Sequence, residues 1–147
     1  MTEQTVNSRF SEQYVVRAVR KALQSYGYKL HAKRSLAAHG ADIVGRHPKH
    51  RRYIFVECKG YPTGNSEGAQ RENYFLAVLG QILLRRKQEN GYYAVGLPEH
   101  PFYRKRILSA EMRRAARWLG LWFFLVDDGG VVHRATASGM KFVRWPR

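Results

Sequence analysis

An acid and a lysine lie two residues apart in the stretch FVECKGYP, residues 55–62, whose other residues suit a buried strand. Successive strand side chains point to opposite faces, so Glu57 and Lys59 are expected on one face, about 6.6 Å apart. Asp42, in the preceding segment HGADIVGR, is expected on the neighbouring strand. Two carboxylates suit Mg²⁺, which also keeps several waters. A lysine beside that ion can position or deprotonate a water, or stabilise charge on phosphorus.

The charge balance points to a polyanionic partner. The 147 residues include 26 Lys and Arg against 11 Asp and Glu, a net charge of +15, which is more than solubility requires. Nucleic acid and an anionic membrane surface are the usual partners of such a chain. No apolar run approaches the roughly 18 residues of a spanning helix, so we expect nucleic acid and no membrane.

Length and cysteine usage limit the remaining choices. A chain of 147 residues with 44% hydrophobic content suffices for one core, so we expect a single domain over residues 1–147. Cys58 is the only cysteine, which excludes an internal disulfide and a multi-cysteine zinc site. The first residues lack the pattern of a secretory signal, so the expected compartment is the cytoplasm.

Hydrophobic periodicity predicts alternating helices and strands. An amphipathic helix is expected from Ser8 or Ser11 to Gly27. It is followed by strands within 28–36, 41–46 and 51–59, a helix from Ala69 to about Glu89, a strand at 92–97, a helix over 102–119 and a strand at 121–126. The order αβββαβαβ predicts an α/β protein with a mixed sheet flanked by helices on both faces. The pattern assigns no element to the tail.

These residues resemble the PD-(D/E)XK, or restriction endonuclease-like, nuclease superfamily. The match is Asp42 followed by Glu57-Cys58-Lys59, within a predicted αβββαβ core over about residues 8–97 to which a C-terminal helix and strand are added. Ala41 stands where the family name has proline. The resemblance implies a Mg²⁺-dependent endonuclease that hydrolyses DNA phosphodiester bonds, with Mn²⁺ able to substitute.

The resemblance also implies individual roles. Asp42 and Glu57 would bind the metal, with the backbone carbonyl of Cys58 as an extra ligand, while Lys59 would assist the water. In isolation these charges would fit a partly exposed salt bridge on a sheet face better than a functional site. The aromatic neighbours of Glu57 on its strand face indicate burial, which favours a functional site over an ion pair.

Two further residues match the family more loosely. Many members carry a glutamate on the first helix, where Glu12 lies on the apolar side and is expected to point inward. Some carry a glutamine on the helix after the third strand, where Gln81 shares a face with Val78. Each has a structural alternative: Glu12 as a helix N-terminal acid, and Gln81 as a polar residue at the edge of the core.

Basic residues in two places are candidates for DNA contact. On the helix predicted over 102–119, three arginines fall within about 20° of one line, opposite the apolar residues: Arg106, Arg113 and Arg117. In the turn RHPKHR, Arg51 and Arg52 accompany His47 and His50. The H-x-x-H spacing of these histidines is compatible with a metal, but the surrounding cations favour a phosphate-facing or solvated turn.

Two other function classes fit the charge. A non-catalytic nucleic-acid-binding module would keep the fold and the basic surface, but the complete set of acid, acid and lysine argues against it. A structural RNA-bound protein would give the buried carboxylates no role. The sequence leaves open which DNA structure is cut and whether a homodimer forms.

Overall fold

The computed structural model describes residues 10–32, 41–62, 67–84 and 91–147. Its elements, in chain order, are α1 Glu12–Tyr26, β1 Lys29–Leu30, β2 Ile43–Arg46, β3 Tyr53–Cys58, α2 Glu67–Leu84, β4 Gly91–Pro98, α3 Pro101–Ile107, α4 Ala110–Leu119, β5 Leu121–Val126, β6 Val132–Ala135 and β7 Val143–Arg144. Within these ranges, the helices are all too short or too polar to cross a membrane.

Helix α1 begins and ends at two of the residues that the sequence predicted. The Ser11 side chain accepts a hydrogen bond from the Tyr14 N–H at 3.1 Å and caps the N-terminus. Gly27 ends the helix in the left-handed conformation, with φ 119, which glycine adopts at little cost. The inward face of the helix carries four buried apolar residues: Val15, Val19, Ala22 and Leu23.

The strands form one mixed sheet in the sequential order β1 to β7. Strands β1 to β3 are antiparallel, β3 to β5 are parallel, and β5 to β7 are again antiparallel. The predicted mixed α/β sheet is therefore confirmed. Because β3, β4 and β5 run in one direction, their carboxyl ends meet at one side of the sheet, which we call the carboxyl edge. The start of the antiparallel β2 lies at the same edge.

Two apolar cores cover the two faces of the sheet, which confirms the expected helices on both sides. Helix α1 packs on one face, where Val15 and Leu23 share a core with Phe124. Helices α2, α3 and α4 cover the other face, with Phe75, Tyr103 and Ala116 in its core. Residues of β3, β4 and β5 alternate between the two cores, as the period of a strand requires.

The single helix predicted over 102–119 is wrong. Helix α3 ends at Ile107 and α4 begins at Ala110. The Ser109 hydroxyl donates to the Arg106 carbonyl at 2.8 Å and accepts from the Met112 N–H at 3.3 Å. One serine therefore closes α3 and caps α4, a local interaction that hydrophobic periodicity does not report.

The tail that the sequence pattern left unassigned extends the sheet. Strand β6 pairs with β5, β7 pairs with β6, and Trp145 is buried in the core beneath α1. The first predicted strand is observed as β1 alone. The rest of this predicted strand extends into 33–40, outside the described residues. The end of the helix expected to reach Glu89 lies in 85–90, also outside them.

Candidate active site

Asp42 and Glu57 meet at the carboxyl edge. The β2–β3 register pairs Ile43 with Val56, so the next position outward brings Asp42 opposite Glu57. Asp42 Oδ2 accepts a hydrogen bond from the Cys58 N–H at 2.7 Å, which holds this carboxylate across the two strands. A carboxylate has two oxygens and about four acceptor positions, so this bond leaves Asp42 able to bind a cation.

Glu57 is buried, with 2% of its surface exposed. It alternates along β3 with Val56 and Cys58, whose side chains belong to the core beneath α1, so Glu57 points to the α2 side of the sheet. An ionised carboxylate at such a position costs several kcal/mol unless cations or hydrogen-bond donors compensate it. The burial predicted from the sequence is therefore present, and a cation close to Glu57 would stabilise its ionised form.

Lys59 follows β3 directly and is half-buried. Its backbone N–H donates to the Gly96 carbonyl at 3.0 Å, which continues the pairing of β3 with β4. Its ammonium lies 4.7 Å from the centre of the Tyr74 ring in α2, within range of a cation–π interaction. Helix α2 thus holds the lysine on the same side of the sheet as Glu57.

The N-terminus of α1 is docked against the residues that follow Lys59. A Cβ at Gly60 would lie 2.3 Å from the Phe10 carbonyl oxygen and 3.0 Å from the Glu12 nitrogen, so only glycine permits this approach. The Tyr61 N–H donates to the same Phe10 oxygen at 2.8 Å. Glu12 is thereby brought to the carboxyl edge, but it is exposed, and its predicted inward orientation is wrong.

The pKa of Glu12 depends on the other charged groups at the carboxyl edge. Burial of its carboxyl raises the pKa of Glu12, the Asp42 charge raises it further, and Lys59 acts in the opposite direction. Burial raises the pKa of the Cys58 thiol well above its usual value, and the charges of Asp42, Glu12 and Glu57 add to this effect. The thiol therefore stays protonated, so any metal contact from Cys58 would come from its backbone carbonyl.

The oxygen atoms of Asp42 and Glu57 are the candidate ligands for the Mg²⁺ ion that the resemblance implies. Asp42 and Glu57 offer hard carboxylate oxygens on adjacent strands, and Mg²⁺ is held by one or two carboxylates plus waters. Among the described residues, no three His, Cys, Asp or Glu side chains are gathered closely enough to hold a metal, so Glu12 does not complete a third ligand. The residues fit an open, water-rich Mg²⁺ site and not a closed zinc-type site.

Gln81 does not occupy the position expected for it. The residue is exposed on α2, whereas Val78 and Ile82 beside it are buried. The expected place at the edge of the core is therefore wrong, because the buried stripe of α2 passes through its neighbours. A catalytic role for Gln81 stays a prediction that its exposure does not favour.

The three arginines predicted in one row lie on two helices. Arg106 belongs to α3, where it forms an ion pair with Glu72 of α2 at 2.5 Å and lies over the Phe75 ring. Arg113 and Arg117 belong to α4 and are exposed. The continuous row is therefore wrong because Ser109 separates the helices, and DNA contact by these arginines stays a prediction.

The turn between β2 and β3 places Arg51 and Arg52 in solvent. The His47 and His50 rings stack with their centres 4.3 Å apart, and each Nδ1 accepts a backbone N–H from two residues further on, at 3.1 Å. The Arg52 guanidinium donates to the Tyr92 hydroxyl at 3.1 Å. The H-x-x-H spacing therefore serves to build the turn.

Sequence reasoning missed the groups that β4 and β5 bring to the carboxyl edge. A cavity of 620 Å³ opens there, lined by Phe10, residues 99–101 and parts of the turn after β5. The His100 ring stacks on Tyr61 at 3.8 Å, which connects the cavity with the segment after Lys59. Their position in the sequence, directly after predicted parallel strands, could have identified them, since ligands of α/β sheets bind beyond the carboxyl ends of such strands.

Comparisons with known proteins bear on the fold. No protein-family model matches the chain, and no curated protein gives a significant match. Among solved structures, the chain is similar to the crystal structure of an XisH family protein from Nostoc punctiforme PCC 73102, with a TM-score of 0.50 and 17% identity. The similarity covers 90% of this chain and 98% of that protein. At this identity the likeness concerns the fold alone.

Proposed function

We propose that this protein is a metal-dependent nuclease that hydrolyses DNA phosphodiester bonds, acting as an endonuclease with a restriction endonuclease-like core. One observation carries the proposal: Asp42 and the buried Glu57 lie opposite each other at the carboxyl edge, and Lys59 follows on the side of the sheet that Glu57 faces. A pair of carboxylates, of which Glu57 is buried and Asp42 is half-buried, suits cation-assisted chemistry on a phosphate beside one lysine better than it suits stability.

Each residue of the site has a task in this reaction. Asp42 and Glu57 would hold Mg²⁺, or Mn²⁺ in its place, together with the Cys58 carbonyl. Bound there, the ion supplies Lewis acidity and orients water and phosphate. Lys59 would orient the attacking water or stabilise charge on the phosphoryl oxygens. Glu12, whose carboxyl is coupled to Asp42 and Lys59, would position these groups from the end of α1.

The net charge of +15 supports a polyanionic partner, and we take DNA in the cytoplasm as the substrate. A non-catalytic nucleic-acid-binding module with the same fold is the second candidate. It is favoured by the contact of Lys59 with the Tyr74 ring, which gives this lysine a structural partner apart from any catalytic role.

A metal series with labelled DNA and RNA tests the proposal. Mg²⁺ and Mn²⁺ should support DNA cleavage. Ca²⁺ binds at longer distances, about 2.3 to 2.6 Å, and tolerates irregular shells, so it should support DNA binding and suppress cleavage driven by Mg²⁺. Cleavage in chelator at the same rate as in Mg²⁺ would exclude a carboxylate-metal nuclease.

Asp42→Asn is the matched variant for this series. The amide oxygen still accepts the Cys58 N–H, so the link between the strands is kept while the negative charge is removed. Cleavage and metal-stimulated binding should disappear, and metal-free binding should persist or rise slightly because the repulsion between this charge and DNA is absent. If the variant responds to both ions as the parent does, the non-catalytic module becomes the better interpretation.

A further inference from the structure

A small cavity lies at the end of the sheet opposite to Glu57, against the turn between β2 and β3. Its volume is 180 Å³, and five residues line it: Lys29, Arg46, His47, Pro48 and Arg51. Three of the five carry a positive charge at neutral pH and none is acidic. The volume lies below the roughly 300 to 1,000 Å³ of small-molecule sites, so this turn pocket suits a single anionic group.

The pocket holds like charges close together. Lys29 and Arg46 are direct partners in the β1–β2 register, so their side chains lie on one face, an arrangement that destabilises a strand pair when both are cations. In the described part of the chain, the salt bridges involve Arg104, Arg106 and His133, and none neutralises the cations of the pocket. A bound anion would offset this repulsion.

Arg46, His47 and the backbone of Arg51 are held in place before any ligand arrives. Arg46 Nε donates to the Arg51 carbonyl at 3.0 Å, and its guanidinium lies 5.1 Å from the centre of the Tyr53 ring. The buried His47 accepts the Lys49 N–H at 3.1 Å. Arg51 itself has φ 61, an uncommon conformation that this turn maintains. Arg46 and His47 therefore need little further ordering to bind an anion, whereas the exposed Lys29 and Arg51 side chains would be ordered by it.

Helix α1 connects the turn pocket with the carboxyl edge. It begins at Glu12, and the ring of Tyr26 at its end lies 5.6 Å from His47. The span is about 21 Å along the helix at 1.5 Å per residue and about 17 Å along β3 at 3.3 Å per residue. The exposed side of α1 carries only uncharged polar or basic residues after Glu12: Gln13, Arg17, Lys21, Gln24, Ser25 and Tyr26.

We propose that the turn pocket binds a backbone phosphate of the nucleic acid, about five or six nucleotides from the phosphate that a metal ion at Asp42 and Glu57 would bind, given the 3.4 Å rise per nucleotide. This inference rests on the proposed function for the identity of the partner. It adds a second fixed contact, which sets the path of the nucleic acid between the carboxyl edge and the turn that joins β2 and β3.

The test is the salt dependence of DNA binding, measured by fluorescence anisotropy in chelator so that no cleavage is involved. Lys29→Gln with Arg51→Asn removes two cations and keeps Arg46 and its bond to the Arg51 carbonyl. Asparagine tolerates the positive φ of position 51. The slope of log affinity against log salt should become shallower by about 0.9 for each phosphate that the variant no longer binds.

The matched control is Lys105→Gln with Lys141→Gln, which removes two exposed lysines elsewhere and should leave the slope nearly unchanged. Lys29→Arg with Arg51→Lys keeps the charge and should bind as the parent does, which would show that the pocket acts through its charge and not through the identity of these two side chains. An equal slope for the neutral variant and the control would overturn the proposal.

A further arm separates a nucleic-acid contact from a site for free anions. Thermal midpoints are compared in phosphate and in chloride at equal ionic strength. If inorganic phosphate stabilises the parent but not the neutral variant, while DNA affinity is the same for both, the pocket is a free-anion site and the proposal is wrong. Pocket-dependent binding without any cleavage in Mg²⁺ would instead reject the nuclease function and keep the pocket.

Discussion

Strand β3 begins among cations and ends among carboxylates. The end of β2 and the turn after it carry four cations: Arg46, Lys49, Arg51 and Arg52. At the carboxyl edge, by contrast, six acids lie within or next to the ends of several elements: Glu12, Asp42, Glu57, Glu99, Asp127 and Asp128. The chain has only 11 acids in all, so their concentration at one edge stands out against a net charge of +15. The two ends of one strand therefore suit opposite ligands, a metal cation at one and phosphate at the other.

This separation clarifies what the net charge means. A uniformly basic surface would bind a polyanion in any orientation, because the long-range attraction between charges does not favour one alignment of the phosphates over another. With cations at one end and acids at the other, DNA reaches the carboxylates favourably only when a divalent ion neutralises them. Binding at the turn and chemistry at the carboxyl edge should therefore be separable by mutation.

Lys59→Ala gives the largest expected effect, and it acts at the carboxyl edge alone. Cleavage should fall by about two to four orders of magnitude, the range for removal of a proton-transfer or charge-stabilising group, while DNA affinity stays nearly unchanged. Single-turnover cleavage and anisotropy on one duplex measure the two quantities. Undiminished turnover would move Lys59 to a structural role against Tyr74, and Lys141→Ala serves as the charge-matched control.

Gly60→Ala should have the next largest effect. A Cβ would lie 2.3 Å from the Phe10 carbonyl oxygen, so the start of α1 must move away from β3. We expect the free energy of unfolding to fall by about 1 to 3 kcal/mol, the usual cost of overpacking, and cleavage to weaken because Glu12 moves with the helix.

The chain offers a matched glycine for this test. A Cβ at Gly80 in α2 would meet nothing within 4 Å, so Gly80→Ala should be neutral or stabilise the protein by up to about 1 kcal/mol through helix propensity. Chemical denaturation of both variants gives the comparison. If both alanines are tolerated equally, the close docking of α1 on β3 is not required for folding.

The ends of α1 and the burial of Glu57 could be predicted because one periodic pattern was sufficient for each. Ser11 and Gly27 mark the ends of α1 through caps of known chemistry. The alternation of side chains around Glu57 predicted that it is buried and that Lys59 lies on the same face, because side chains along a strand alternate between the two faces. The parallel pairing that brings β4 and β5 beside β3 follows from their intervening helices.

The errors arose where a local side-chain hydrogen bond or a tertiary contact, and not hydrophobic periodicity, decides the outcome. Ser109 divides 102–119 through bonds to Arg106 and Met112, which a helical wheel does not include. Strands β6 and β7 have four and two residues, too few for a periodic signal, and depend on pairing with β5. Glu12 reaches the site through the missing Cβ of Gly60 and not through its own place on the wheel.

A smaller effect is expected from the arginines of α4, which lie on the other face of the sheet from α1. Arg113→Gln with Arg117→Gln tests whether this helix contacts DNA, as the sequence pattern predicts. If these arginines touch phosphates, the salt slope should become shallower by about one per contact, across all DNA sequences. An unchanged slope would leave the path between the carboxyl edge and the turn pocket as the better description.

Arg106→Gln distinguishes a phosphate contact from an internal ion pair. Its guanidinium is bound to Glu72, so the change should lower stability slightly, by less than about 1 kcal/mol because both side chains are partly exposed. The salt slope should stay that of the parent. A shallower slope instead would show that DNA competes with Glu72 for this arginine.

Glu12→Gln has the smallest expected effect and decides between two roles for this acid. The pKa of Glu12 is raised above its ordinary value of 4.5, so the folded chain binds this proton more tightly than the unfolded chain does. That contribution to stability is complete below 4.5 and is lost as the pH rises through the folded-state pKa. At neutral pH the parent therefore carries the cost of partly burying this charge, and in addition a repulsion with Asp42, which the glutamine variant lacks.

The thermal midpoint of Glu12→Gln should consequently rise relative to the parent between pH 4 and pH 7 in chelator, by only about 1 to 3 °C because the side chain is exposed and water screens it. Mg²⁺ should shrink the difference, since a cation at Asp42 removes the repulsion. Glu111→Gln, in the first turn of α4 and away from the carboxyl edge, is the control: there only the helix dipole acts, so the midpoint should fall slightly at neutral pH. If Glu12→Gln behaves as Glu111→Gln does and ignores Mg²⁺, Glu12 is an ordinary N-terminal acid and the site consists of Asp42, Glu57 and Lys59 without it.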